Sequence, residues 1–143
     1  MSSRLIIESA DETIQLGSDN IMAVTYESDT PDDSNARASD IGSSVIIKGK
    51  IITAVDGEEA DDTRKLAIWS LVKAEKADAY RKATLEIIAA DQVIRKVYFP
   101  NAFVVDYTEE FDHTEGTGKF ELVLRQKKDR NELVTIDGGY AAE

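Results

Sequence analysis

Cysteine is absent from the 143 residues, which removes disulfide staples, thiolate metal sites and cysteine nucleophiles together. Stability must come from packing, and a cysteine-free chain suits either redox environment. Histidine occurs once, at His113, and no HExxH pattern is present, so a histidine-rich zinc site is excluded. Long apolar runs are missing as well: nothing approaches the roughly 18 consecutive apolar residues of a membrane-spanning helix. The opening residues MSSRLIIESADET reach an acid at Glu8 before an apolar stretch of signal-peptide length builds up. Assembly in the cytoplasm, without a cleaved signal peptide, is the expectation. Positive charge is also scarce: 17 Lys+Arg face 28 Asp+Glu, a net charge of −11. The mean field of such a surface repels nucleic-acid phosphates and anionic lipid, so no specific nucleic-acid binding is expected.

Apolar residues make up 42% of the chain, enough for a core, and the length suits one domain spanning 1–143 with a radius of gyration of about 14–15 Å. Short runs rich in β-branched side chains, bounded by Gly, Asp, Asn or Ser, predict strands at 4–8, 21–28, 44–53, 82–90, 93–99, 103–110, 119–126 and 133–136. In 119–126, Phe120, Leu122 and Leu124 alternate with Glu121, Val123 and Arg125, which marks one buried face. Around residue 86 the pattern is mixed, with Leu85 and Ile87 on one side and Glu86 and Ile88 on the other. One helix is expected over about 62–79, where Leu66, Ile68, Trp69, Leu71 and Val72 make an apolar stripe. Asp61 or Asp62 is placed to cap it, and Trp69 reads as its anchor in the core. The fold class expected is mainly β: a small antiparallel β-barrel of two packed sheets, one flanking α-helix, a long extended loop at 29–42 and a C-terminal tail at 131–143.

The loop sequence, DTPDDSNARASDIG, is too polar to pack as a core element. A second connection, DGEEADD at 56–62, leads into the helix; without a D-x-D-x-D-G alternation it reads as a solvated acidic loop rather than a calcium site. His113 lies in DHTEGTG, a hairpin tip facing solvent, and no GxSxG elbow accompanies it. The glycines at 116 and 118 make a flexible turn, since no P-loop lysine follows. No catalytic, cofactor-binding or metal-ligating residue is therefore assigned. The basic cluster RQKKDR at 125–130 lacks interleaved aromatics and suits one half of an electrostatic contact between copies, with the acidic loops as the other half. The residues expected at such contacts are Asp29, Asp32, Asp33, Arg37, Asp40, Glu58, Glu59, Arg125, Lys127, Lys128 and Arg130.

The order of elements resembles the tube-protein superfamily of contractile injection machines, which includes Hcp of type VI secretion and the tail-tube proteins of phages. The resemblance is carried by SSVIIKGKII at 43–52, KATLEIIAADQVIRKVYFPNAFVVDYTEEF at 82–111 and GKFELVLRQKK at 118–128. Within it, YFPNAFVVDY at 98–107 matches the "F-x-N-(A/V)-x-V" type of phrase. It implies a structural subunit rather than an enzyme, forming rings, commonly of six. Those rings stack into the inner tube, or start it at the baseplate, of a phage tail or an injection or secretion particle. Implied partners are further copies of the chain, sheath proteins and baseplate or spike proteins, with DNA or protein cargo passing through a lumen. The loop at 29–40 is placed to reach a neighbouring ring, and the helix face opposite Leu66 and Trp69 to meet a sheath or neighbour. A different reading is a stand-alone β-sandwich binding module for carbohydrate or peptide, with Tyr98, Phe99, Phe103 and Tyr107 as an aromatic platform.

Overall fold

The computed structural model describes residues 1–29, 42–52 and 61–142. Along the chain run β1 (Ser2–Glu8), β2 (Thr13–Leu16), β3 (Ile21–Asp29), β4 (Gly42–Ile51), α1 (Thr63–Ser70), β5 (Arg81–Ala89), β6 (Gln92–Asp112), β7 (Thr117–Gln126), β8 (Thr135–Asp137) and β9 (Tyr140–Ala141). The fold is mainly β and antiparallel, as the sequence predicts. All nine strands belong to one sheet rather than two, in the order β2, β1, β5, β6, β7, β4, β3, with β8 and β9 also beside β6. Backbone pairing does not close the barrel, because no described residues join β2 to β3. Side chains close it instead. Tyr26 of β3 meets Phe99 of β6 with ring centroids 6.5 Å apart. Leu5, Val45, Ala83, Leu85, Val97, Phe99 and Leu124 surround a void of only about 10 Å³. The alternation in β7 is seen as expected, with Phe120, Leu122 and Leu124 buried.

β6 organises this sheet. Its 21 residues take in both the strands expected at 93–99 and 103–110. Between those two expected strands lies Pro100, which brings no N–H to a ladder. The pairing accommodates it at a register shift, where Ala83 faces Phe99 but Arg81 faces Ala102. Ala102 also faces Gln126 of β7, so β5 and β7 occupy opposite edges of β6 at that point. Beyond it β5 ends, and residues 103–112 pair with β7 alone. The β5–β6 connection is a two-residue turn at Ala90 and Asp91, whose φ angles of 52° and 61° are those a tight hairpin with right-handed twist requires.

The helix is shorter than the apolar stripe suggested. It ends at Ser70, and only a 3-10 turn at Ala77–Ala79 interrupts the path to β5. Leu66 and Trp69 are buried, whereas Ile68 and Leu71 are 49% and 82% exposed, so the face against the sheet is narrow. The following KAEKADA offers little apolar surface, and a short helix without tertiary contacts does not propagate. Two short strands, β2 and β9, lay outside the predicted set. β2 buries Ile14 and Leu16 and presents Thr13 and Gln15 outward.

Two charged residues hold the layers in place. The Asp61 carboxylate accepts hydrogen bonds from Asn20 Nδ2 at 2.8 Å, the Ile52 amide at 2.7 Å, the Thr63 amide at 3.1 Å and the Thr63 hydroxyl. It thereby ties the start of α1 to the start of β3 and the end of β4. Asp62, at the N-cap position, turns its carboxylate outward to the Gln15 amide of β2 at 2.8 Å. The second residue is Arg81, whose side chain is 4% exposed. Its guanidinium bonds Asp78 at 2.8 Å and Glu12 at 3.2 Å and lies 5.1 Å from the centroid of Trp69. Trp69 donates its indole N–H to the Ala79 carbonyl at 3.1 Å, so the expected core anchor is present and is latched on its polar edge.

Removing Arg81 leaves two carboxylates without their shared partner and uncovers one face of Trp69. Arg81→Ala should destabilise the fold by about 3 kcal/mol, read as a drop in the urea midpoint at unchanged slope; an unaltered midpoint would refute the latch. Tyr107 joins the β6–β7 hairpin to the helix, donating to Glu109 at 2.8 Å and lying 3.4 Å from the Thr63 carbonyl. Burial first, and then the Glu109 carboxylate, raise its phenol above the ordinary 10.0. The native state then holds this proton more tightly than the unfolded chain, so the contribution is complete below that ordinary value and is lost as pH climbs toward the native one. The stability advantage of the native protein over Tyr107→Phe should therefore be constant up to about pH 9.5 and shrink steadily as pH rises above about 10 in thermal melts.

Candidate functional site

Among the described residues no group of three or more His, Asp or Glu side chains is placed to hold a metal ion. His113 stands exposed in the turn between β6 and β7, as expected for a hairpin tip. The aromatic platform does not form. Phe99 is buried, Phe103 packs edge-on against Tyr80 at 5.9 Å, and Tyr107 stacks on the inward-facing Phe120 at 6.4 Å. What the fold presents is a set of surfaces suited to contact between chains.

The first surface is a pair of open strand edges. β3 pairs with β4 on one side, and no described strand pairs with its other side. Residues 103–112 of β6 have β7 on one edge and no described strand on the other. The strands β3, β4, β7 and this part of β6 therefore form a four-stranded antiparallel ribbon with both margins open. The β3 margin, IMAVTYESD, carries neither proline nor lysine, the residues with which exposed edges are usually blunted.

The second surface lies where β7 ends. Gln126 is buried; its Oε1 accepts the Asn101 amide at 2.9 Å and its Nε2 donates to the Arg130 carbonyl at 2.9 Å. Ser43 donates its hydroxyl to Asn131 Oδ1 at 2.8 Å, which fastens the 3-10 turn Lys128–Leu133 to β4. This scaffold separates the expected basic cluster. Arg125 turns toward its own chain, with Nη2 3.8 Å from Asp29 and Nε 3.2 Å from the Ser44 hydroxyl. Lys127 and Arg130 instead line a cleft of about 490 Å³ with Ala74, Glu75, Lys76, Ala77, Tyr80 and Asn101. The Lys127 ammonium lies 5.0 Å from the Tyr80 ring centroid. Lys128 lies on the same 3-10 turn, exposed.

Of the expected contact residues, Asp29, Arg125, Lys127, Lys128 and Arg130 are thus gathered near the ends of β3 and β7. Asp32, Asp33, Arg37, Asp40, Glu58 and Glu59 lie outside the described residues. Sequence reasoning did not single out Gln126, Lys76 or Tyr80. Gln126 occupies an inward position of the β7 alternation, and a polar residue at that phase was the available signal.

No protein-family model matches the chain, and no curated protein sequence matches it. Solved structures do. Hcp1 from Flavobacterium johnsoniae superposes with a TM-score of 0.57 at 17% identity, covering 100% of both chains. A chain of the anti-feeding prophage (AFP) baseplate, six-fold symmetrised, gives 0.53 at 9% identity over 96% of this chain and 91% of that one. A chain of the PVC sheath–tube complex, an extracellular contractile injection system in its extended state, gives 0.50 at 14% identity over 95% and 89%. The chain has the Hcp-like fold, shared over essentially its whole length with Hcp1 and with chains of the PVC sheath–tube complex and the AFP baseplate.

Proposed function

We propose that this chain is a structural subunit, without catalytic activity, that closes into rings of six. These rings stack as the inner tube, or start it at the baseplate, of a phage tail or a contractile injection or secretion particle. The observation that carries this reading is the four-stranded ribbon with two open margins. An even number of alternating strands leaves β3 and the free edge of residues 103–112 running in opposite directions. The β3 margin of one copy can therefore add, antiparallel, to the β6 margin of the next, and repetition around a circle pairs both margins of every ribbon. The six-fold symmetry of the AFP baseplate and the sheath–tube assembly of PVC, both containing chains of this fold, support the ring and its partners.

Each copy brings a charge of −11, so like-charge repulsion opposes assembly unless complementary groups meet locally. Arg125, Lys127, Lys128 and Arg130 supply the positive side of such contacts, and the acidic segment 29–40 reaches toward an adjacent ring. Ile68 on the outer face of α1 and Leu71 just past its end, both exposed, offer apolar surface to a sheath subunit. Baseplate or spike proteins would cap the stack, and DNA or protein cargo would pass through its lumen. Assembly in the cytoplasm precedes incorporation into a virion or injection particle.

The segment 30–38 can be removed without stranding its neighbours, because Asp29 and Gly42 already face each other across β3 and β4 and three residues would remain to turn between them. The deletion should leave a folded monomer with a native circular dichroism melt but abolish polymer formation. Intact chain at high concentration should show rings about 80–100 Å across in negative stain, a size set by six domains of the expected radius. Monomer alone at every salt concentration would overturn the reading.

A further inference from the structure

We propose that the cleft between the 3-10 turns Ala77–Ala79 and Lys128–Leu133 receives the β6–β7 hairpin tip of a second copy, so that stacking runs head to tail along this hairpin. The inference rests on the stacked-ring reading above and names the two surfaces that meet. The opposed ends of one hairpin carry opposite charge. Its tip holds Glu109, Glu110, Asp112 and Glu115 around the exposed Phe111, and its open end holds Lys127 and Arg130, joined there by Lys76.

Distance rules out their meeting within one molecule. From the Ala102–Gln126 pair to the Asp112–Thr117 pair the strands advance by ten residues of β6, about 33 Å. A translation of similar length along the strand direction brings the tip of one copy to the cleft of the next. Both surfaces are held in shape before contact. Asp112 accepts the Thr114 and Glu115 amides at 2.9 and 3.1 Å and receives the Gly116 amide on its carbonyl at 2.8 Å. Gly116 has a φ of +69°, which lets the turn close without a strained side chain. The cleft is set by the Gln126 bonds to Asn101 and Arg130.

The chemistry of the cleft also selects its occupant. Tyr80 and Ala77 provide apolar floor for Phe111, which is 56% exposed in the isolated chain. Lys76, Lys127 and Arg130 rim that floor and meet the carboxylates on either side of the phenyl ring. Glu75 in the same wall and the charge of −11 on the whole chain disfavour a free polyanion there. A protein segment that combines an aromatic ring with flanking acids satisfies both the floor and the rim, and the tip EEFDHTE is such a segment.

Because the chain lacks cysteine, any disulfide between copies is attributable to introduced residues. The variant carrying Glu115→Cys and Ala77→Cys should give a ladder of dimers, trimers and longer species on a non-reducing gel after mild oxidation, while each single variant stops at dimer. In parallel, Lys127→Glu with Arg130→Glu should raise the concentration needed for stacks by about ten-fold or more in light scattering. Adding Glu110→Lys and Glu115→Lys to that variant should restore stacking, a rescue that simple misfolding cannot produce. Unchanged stacking in the charge-reversed variant, or no ladder from protein that forms stacks, overturns the tip-in-cleft contact alone. Absence of rings and stacks from the unmodified chain overturns both this contact and the stacked-ring reading.

Discussion

The backbone pairing of β6 is the constraint on which the remaining architecture depends. One strand of 21 residues cannot lie flat between two partners of half its length, so it changes company midway. Up to Ala102 it holds β5 on one edge and β8 and β9 on the other; past Ala102 it holds β7. Strand twist accumulated over that length carries the two halves of the sheet toward each other, which lets Tyr26 reach Phe99 and lets a core form inside a single sheet. The same handover leaves residues 103–112 with an unpaired margin. Core and open edge are therefore two consequences of one pairing pattern.

Charge follows a similar division of labour. Part of the acidic excess is spent on fastening the fold: Asp61 gathers Asn20, Ile52 and Thr63, and Glu12 and Asp78 flank the buried Arg81. Such bonds to ionised groups are stronger than neutral ones and act where strand ends and helix start would otherwise leave polar groups unpaired. Further charge is arranged along the β6–β7 hairpin, with Glu109, Glu110, Asp112 and Glu115 at the turn and Lys127 and Arg130 at the open end. A net charge of −11 by itself describes solubility. Its arrangement along an extended hairpin gives the subunit a direction.

Much of the architecture was legible because strands write a two-residue period into the chain. Phe120, Leu122 and Leu124 announced an inward face, and all three are buried against the core. The hairpin tip at DHTEGTG and the anchor role of Trp69 were readable for similar local reasons, turn chemistry in one case and a helical apolar spacing in the other. The helix length was misread because Leu71 keeps the local apolar pattern while facing solvent, and the KAEKADA that follows offers too little apolar surface to hold further turns. The strands expected at 93–99 and 103–110 are one strand instead, because a register shift against β5 accommodates Pro100 and its missing N–H.

Composition and alternation alone determined that this chain is mainly β, antiparallel, free of thiol chemistry and strongly acidic. Those are properties of side chains and their immediate neighbours. The tertiary structure decided which edges stay open, that Arg125 turns to Asp29 while Lys127 and Arg130 line a cleft, and that Gln126 holds that cleft in place. Each of these depends on residues 25 to 96 positions apart in the chain being brought together, as Asp29 and Arg125 or Asn101 and Gln126 are, and no local period encodes such a meeting.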